Sequence, residues 1–185
     1  MEDEHGTYIL NSKDLRAVEH IERLVKMGVN SLKIEGRTKS IYYVARTAQV
    51  YRKAIDDAVA GRPFDTTLLG ALQSLANRGY TDGFYQRHHT QDYQNYMSGA
   101  SELNNSHYVG DIVEAQNGWA TVLVKNRFAV GDILEIYHPD GNAVLPLKTM
   151  QNDEGVAVDV APGSGHRVRI PLEDKYKGAF IARRL

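Results

Sequence analysis

Ser31-Leu32-Lys33-Ile34-Glu35-Gly36-Arg37-Thr38-Lys39-Ser40 runs from an alternating apolar and charged segment into the start of a helix. Leu32 and Ile34 fall on one side of an extended chain and Lys33 and Glu35 on the other, so the spacing predicts a strand that ends on an ammonium and a carboxylate. Gly36 frees the backbone to turn. Ser40 suits the N-cap of a helix over 41–59, in which Ile41, Val44, Ala48, Tyr51, Ile55 and Ala58 recur at helical spacing. Strand, polar loop and helix together form the unit with which parallel α/β enzymes build sites at the carboxyl ends of strands. Glu35 is then the candidate catalytic carboxylate. An inert ion pair between Lys33 and Glu35 on a half-exposed strand, followed by a solvated loop, accounts for the same residues without chemistry.

The charge around this segment is one-sided. Lys33, Arg37, Lys39, Arg46, Arg52 and Lys53 meet only Glu35 as an acid before Asp56 and Asp57. Lys33, Arg37, Lys39 and Arg46 are therefore candidate substrate-binding cations beside a helix N-terminus whose N–H groups also favour anions. A guanidinium such as Arg37 binds a carboxylate or a phosphate with two parallel hydrogen bonds. The competing reading is a solvated helix face that pairs with Asp56 and Asp57.

Upstream, Asn11 or Ser12 can cap a helix carrying Leu15, Val18, Ile21, Leu24 and Val25, closed by Gly28. Helix, turn, strand and helix is the rhythm of a parallel β/α barrel or open sheet, and one strand cannot complete either. The remaining strands are expected from an upstream region of the same protein or from self-association. Downstream, a third helix is expected from Thr66 or Thr67 to Ala76, with Leu68, Leu69, Leu72 and Leu75 on its buried side and Asn77-Arg78-Gly79 as its stop. Residues 81–106 form a polar, aromatic connection too long for a turn. Arg78, Tyr80 and Arg87 in and beside it are candidate nucleic-acid contacts that could stack on unpaired bases and grip phosphates; packing anchors are the alternative. His88-His89 lacks the spacing of a metal site.

After residue 106 the pattern becomes short alternating runs at 108–115, 119–124, 133–137, 143–147, 156–160, 167–170 and 179–182, separated by turn signals such as Gln116-Asn117-Gly118 and Pro139-Asp140-Gly141-Asn142. These predict a small antiparallel β-barrel. Its carboxylates Asp111, Glu114, Asp132 and Glu135 sit at strand edges without a nucleophile, base and acid arrangement, so this part reads as a binding module. The expected organisation is α/β followed by all-β, with boundaries 1–80, 81–106 and 107–185.

With 185 residues, 42% hydrophobic and 24% charged, the chain can bury a core, and a net charge of −1 gives no global attraction for nucleic acid. No apolar run approaches the roughly 18 residues of a membrane span, and the opening Glu2-Asp3-Glu4 is the reverse of a basic secretory start, so no membrane partner and a cytoplasmic location are expected. There is no Cys, hence no disulfide, no cysteine nucleophile and no thiolate-held metal within this chain.

The segment around Glu35 continues through Tyr42-Tyr43-Val44-Ala45-Arg46-Thr47-Ala48-Gln49-Val50-Tyr51-Arg52-Lys53-Ala54-Ile55-Asp56-Asp57-Ala58, Gly61-Arg62-Pro63-Phe64, Arg78-Gly79-Tyr80-Thr81-Asp82-Gly83-Phe84 and Asp92-Tyr93-Gln94-Asn95-Tyr96. Over about Glu4 to Tyr96 in detail, and more loosely beyond, the chain resembles the collagenase-like peptidases of family U32. The likeness is closest to the branch implicated in hydroxylating the wobble uridine of transfer RNA at carbon five. The resemblance implies a complete protein with an N-terminal β/α (TIM-like) barrel, cysteines upstream for an iron–sulfur cluster, prephenate or a similar carboxylate as a small-molecule partner, tRNA as substrate and a small C-terminal β domain. This chain would be the C-terminal portion, inactive by itself, with Lys33, Glu35 and Arg37 at the barrel mouth. The family's peptidase label and a non-catalytic RNA-binding module remain as alternatives.

Overall fold

The computed structural model describes residues 13–75, 77–83, 85 and 106–185, together with the backbone of residues 2–3 and 6–7. The chain forms two compact units, residues 1–104 and 105–185.

In the first unit, β1 (Glu2–Asp3) pairs antiparallel with β2 (Gly6–Thr7). Then follow β3 (Asp14–Leu15), a 3-10 turn (Val18–His20), α1 (Ile21–Lys26), α2 (Ile41–Val59), α3 (Thr67–Gln73) and β4 (Tyr80–Thr81). Helix α2 has the expected bounds, and the Ser40 hydroxyl accepts a hydrogen bond from the Tyr43 N–H at 3.1 Å, satisfying one of the donors a helix start leaves free. Its buried side differs from the expected stripe. Tyr42, Arg46, Thr47, Val50, Ala54 and Asp57 face inward, while Ile41 is 76% exposed. The charged members are tolerated inside because they are paired: the Asp57 carboxylate accepts from Lys53 and, at 2.7 Å, from Arg62, and Arg46 donates to Gln49.

Two further expectations for this unit are corrected. The strand over 31–35 is absent, since residues 29–36 carry no regular structure. Alternation alone does not make a strand without a ladder partner, and among the described residues the only parallel pair is β3 with β4, two residues each. The described residues therefore do not display a fragment of a β/α barrel. The first helix starts late: Leu15 lies in β3 and is 62% exposed, α1 begins at Ile21, and Asn11 and Ser12 fall outside the described residues. Gly28, at φ +80°, does close α1. Helix α3 buries Leu68 and Leu72, and Leu75 is buried just beyond its end. There Asn77 donates to the Leu75 carbonyl at 2.7 Å and accepts from the Gly79 N–H at 2.9 Å, which steers the chain into β4.

The second unit is all β apart from a 3-10 turn (Asp174–Tyr176). Its strands are β5 (Ser106–Gln116), β6 (Trp119–Val124), β7 (Phe128–Ala129), β8 (Ile133–Tyr137), β9 (Ala143–Pro146), β10 (Gln151–Asn152), β11 (Val160–Ala161), β12 (Arg167–Pro171) and β13 (Phe180–Arg184). Seven form one antiparallel sheet in the order β10-β12-β6-β5-β13-β8-β9, and β7 pairs separately with β11. The sheet curls into a half-barrel with open edges at β10 and β9, in place of the closed barrel expected. Register shifts at Ile112/Glu114 in β5 and at Ile181/Ala182 in β13 are the bulges that bend it. Gly110 permits close strand approach: a Cβ there would meet Val122 Cγ1 at 2.7 Å and the Leu123 carbonyl oxygen at 2.8 Å. Val109, Ile112, Val122, Phe128, Leu134, Ile136 and Ile170 fill the inner side, each at most 1% exposed. Among the described residues no helix is long and apolar enough to cross a membrane.

Candidate functional site

A cavity of about 440 Å³ in the first unit is walled by β3, α1, the 31–35 segment, α2 and β4. Helix α2 turns Tyr43, Thr47 and Tyr51 toward it, a stripe at i, i+4 and i+8, and β4 adds Tyr80. Strand β3 brings Asp14, whose carboxylate accepts a hydrogen bond from the Lys39 ammonium at 2.6 Å, with both side chains under 20% exposed. The same ammonium lies 4.6 Å from the Tyr43 ring centroid, and the Arg16 guanidinium lies 5.1 Å from that of Tyr80. The Tyr80 hydroxyl donates to the Leu72 carbonyl at 2.9 Å, and the Tyr51 hydroxyl accepts from the Ala17 N–H at 2.8 Å.

Burial sets the protonation of this wall. It pushes the Tyr43 and Tyr51 phenols up, only partly offset by hydrogen bonds to them, and it pushes Tyr80 far above the usual phenol range, helped by Tyr43 and Asp14. All three hydroxyls therefore stay protonated near neutral pH. The cavity combines neutral aromatic faces with cations laid against them, and its one deep carboxylate is neutralised by Lys39. Such a lining is chemically suited to a flat or anionic small molecule, and its volume falls within the roughly 300–1,000 Å³ of ligand sites.

The residues singled out in the sequence occupy different places. Lys33 and Glu35 line the cavity but stand in water at its mouth, 87% and 71% exposed, with Nζ and Oε2 3.9 Å apart. Glu35 also accepts the Arg37 backbone N–H at 3.2 Å. The exposed Arg37 projects from the same turn, which the Lys39 N–H closes onto the Gly36 carbonyl at 2.9 Å. Lys39 is in the wall. Arg46 is buried at 7% exposure away from the cavity lining. Arg52 and Lys53 pair with Asp56 and Asp57, as the solvated-face reading has it. Tyr80 belongs to the cavity, Arg78 is half-buried before it, and Arg87 lies outside the described residues, as do His88 and His89. Sequence reading missed Asp14, Arg16 and Tyr43. Tyr43 carried a signal, its spacing with Thr47 and Tyr51; Asp14, 25 positions from Lys39, carried none. Among the described residues no group of three or more His, Asp or Glu side chains is placed to hold a metal ion.

Comparison with known proteins matches residues 1–95 to the model of peptidase family U32 and residues 104–183 to the peptidase family U32 C-terminal domain. The tRNA hydroxylation protein P of Escherichia coli is 60% identical over 92% of this chain and 38% of its own length. That of Haemophilus influenzae is 52% identical over 100% of this chain and 41% of its own. A collagenase of Porphyromonas gingivalis is 26% identical over 95% of this chain and 50% of its own. A crystal structure of the C-terminal domain of a Geobacillus thermoleovorans U32 peptidase is similar at a TM-score of 0.40 and 19% identity, covering 43% of this chain and 93% of that one. The chain thus spans about two fifths of the length of the two hydroxylation proteins. It belongs to peptidase family U32.

Proposed function

We propose that this chain is the C-terminal part of a protein that hydroxylates the wobble uridine of transfer RNA at carbon five, with the first unit forming one wall of its small-molecule site. The observation that carries this reading is the 60% and 52% identity to proteins named for tRNA hydroxylation, sustained along nearly the whole chain. The cavity supports it chemically. An anionic metabolite with two carboxylates, such as prephenate, would meet Lys33 at the mouth and rest its ring on Tyr43 and Tyr80, with the exposed Arg37 of the adjoining turn, outside the lining itself, as a further cation for its carboxylate. The aromatic rings of this wall would exclude water around it. Asp14 keeps Lys39 in place against Tyr43.

Met27, Ile34, Ile41 and Val44 are 75, 41, 76 and 40% exposed, side chains that an upstream barrel region of the same protein would cover, with a strand beside 31–35. This supports reading residues 1–80 as the closing part of a β/α barrel, 81–106 as its connection and 107–185 as an appended β domain. This chain has no Cys, so thiolates for an iron–sulfur cluster would have to come from an upstream region of the same protein. The cytoplasm, where tRNA is modified, is the proposed location. The peptidase reading rests on the family's name and on more distant likenesses, among them the 26% identical collagenase and a 38% identical protein of Methanocaldococcus jannaschii named as an uncharacterized protease.

The test is nucleoside mass spectrometry of tRNA from a strain lacking the gene. Loss of 5-hydroxyuridine-derived wobble nucleosides, restored by the intact gene, is expected; unchanged spectra would contradict the reading. Re-expression as Arg37→Ala should leave modification at least about tenfold slower, the scale of a lost charge-assisted pair. Gelatin cleavage by the purified full-length protein, abolished by Glu35→Gln, would favour the peptidase instead.

A further inference from the structure

The outer face of the second unit carries a cleft that the cavity in the first unit does not explain. Alternation along β6 and β12 sends Ala120, Val122, Val168 and Ile170 inward and leaves Trp119, Thr121, Arg167 and Arg169 on the other face. Register aligns Glu114, Thr121 and Arg169 in one lateral row and Gln116, Trp119 and Pro171 in the next. The Arg169 guanidinium lies 5.5 Å from the Trp119 ring centroid. Around them opens a cleft of about 460 Å³, flanked by Arg167 and by the carboxylates of Glu114 and Asp153. No ion pair joins these arginines to these acids.

The platform is held rigidly. Trp119 follows the two-residue loop Asn117-Gly118, whose positive φ angles of 55° and 75° mark a primed hairpin turn. Asp174 accepts both loop N–H groups, from Asn117 at 3.1 Å and from Gly118 at 2.9 Å. The aromatic face is thus presented by backbone geometry and needs no ordering when a ligand arrives.

We propose that this cleft binds one unpaired, amino-bearing base of an RNA strand; the inference rests on the tRNA reading above and assigns it a gripping surface. A flat indole braced by a guanidinium is a base-stacking platform. Arg167 is placed for the adjoining phosphate. The two carboxylates would repel a bare oligoanion, but they are acceptors for the exocyclic amine of cytosine, adenine or guanine, which uracil lacks. The polar lining disfavours an apolar protein partner.

Trp119 is the only tryptophan of the chain, so its fluorescence reports on this site alone. Titration of the whole 185-residue chain with a single-stranded oligo(C) 12-mer at about 50 mM salt should quench it saturably, with affinity falling steeply by about 200 mM. Oligo(U) should bind more weakly. Arg167→Gln should weaken oligo(C) binding, and Trp119→Ala, followed with labelled RNA by anisotropy, should weaken it about five- to hundredfold, the range for one lost stack. Both side chains point outward, so unchanged melting temperatures are expected and separate lost binding from lost folding. No quenching by either 12-mer, equal affinity for oligo(C) and oligo(U), or equal quenching by inorganic polyphosphate or an acidic peptide would overturn the inference. In cells, full tRNA modification with Trp119→Ala, where gene deletion abolishes it, overturns this surface while leaving the hydroxylation reading intact. Normal modification in the deletion strain overturns the latter, and the quenching experiment then decides the cleft by itself.

Discussion

In residues 105–185 a continuous set of apolar side chains, Phe128, Leu134, Ile136 and Ile181 among them at 0% exposure, fills the inner side of one curled sheet. In residues 1–104, by contrast, Met27, Ile41 and Val59 stand 70–76% exposed while Arg46, Asp57 and Asn77 are buried. One unit is held mainly by hydrophobic burial, which is nondirectional and indifferent to pH. The other buries a smaller apolar set, Val18, Ile21, Val50, Leu72 and Leu75 among it, adds buried ion pairs and hydrogen bonds that must each be completed, and leaves apolar surface uncovered. The difference separates two jobs: a self-contained module that presents a rigid outer face, and a unit whose charged groups converge on a cavity.

The comparison can be broken by substitution. The largest effect is expected in the second unit, where Phe128→Ala should cost about 3–5 kcal/mol through lost burial and the cavity it leaves. Urea unfolding should register this cost in the β signal while α2 is unmoved. Next comes acid. Hydrogen bonds from Lys53 and Arg62 hold the Asp57 carboxyl below its usual range. A carboxyl depressed in the folded state contributes stability that is present above its unfolded value of about 3.9 and lost as pH falls through the folded value. The packing of α2 should therefore loosen on acidification below about pH 4, and Asp57→Asn should remove that slope, as followed by helical circular dichroism. Glu135 in the second unit has the same sign: burial raises it, but hydrogen bonds from Tyr137 and Arg184 outweigh that. There, however, the apolar core remains when the carboxylate is protonated. The smallest effect is Ser40→Ala, about 1 kcal/mol from the lost α2 cap, visible as a lower melting temperature of the first unit alone.

What was legible in the sequence follows the same division. Strands β6 and β8 and the Asn117-Gly118 turn were readable because alternation, a sharp turn dipeptide and a local partner all agree. Helix α2 was readable in extent, through Ser40 and a long run without Gly or Pro, but not in orientation. Periodicity locates a stripe, and here side chains such as Asp57, paired twice over, went inside while Ile41 stayed out. The 31–35 segment had the alternation of a strand and, among the described residues, no ladder partner to make it one. Two-residue strands such as β7 and β10 carry too little pattern to see. The Asp14–Lys39 pair at the cavity wall joins residues from separate elements, a contact that only the fold creates.

Native-state hydrogen exchange on the 185-residue chain tests the contrast between the units most directly. Amides of β5, β6 and β13 should exchange together, at the opening free energy of the whole second unit, while those of β3, β4 and residues 31–39 should exchange orders of magnitude faster. Equal protection across both sets would contradict the account, because it would mean that the first unit is as complete in itself as the second.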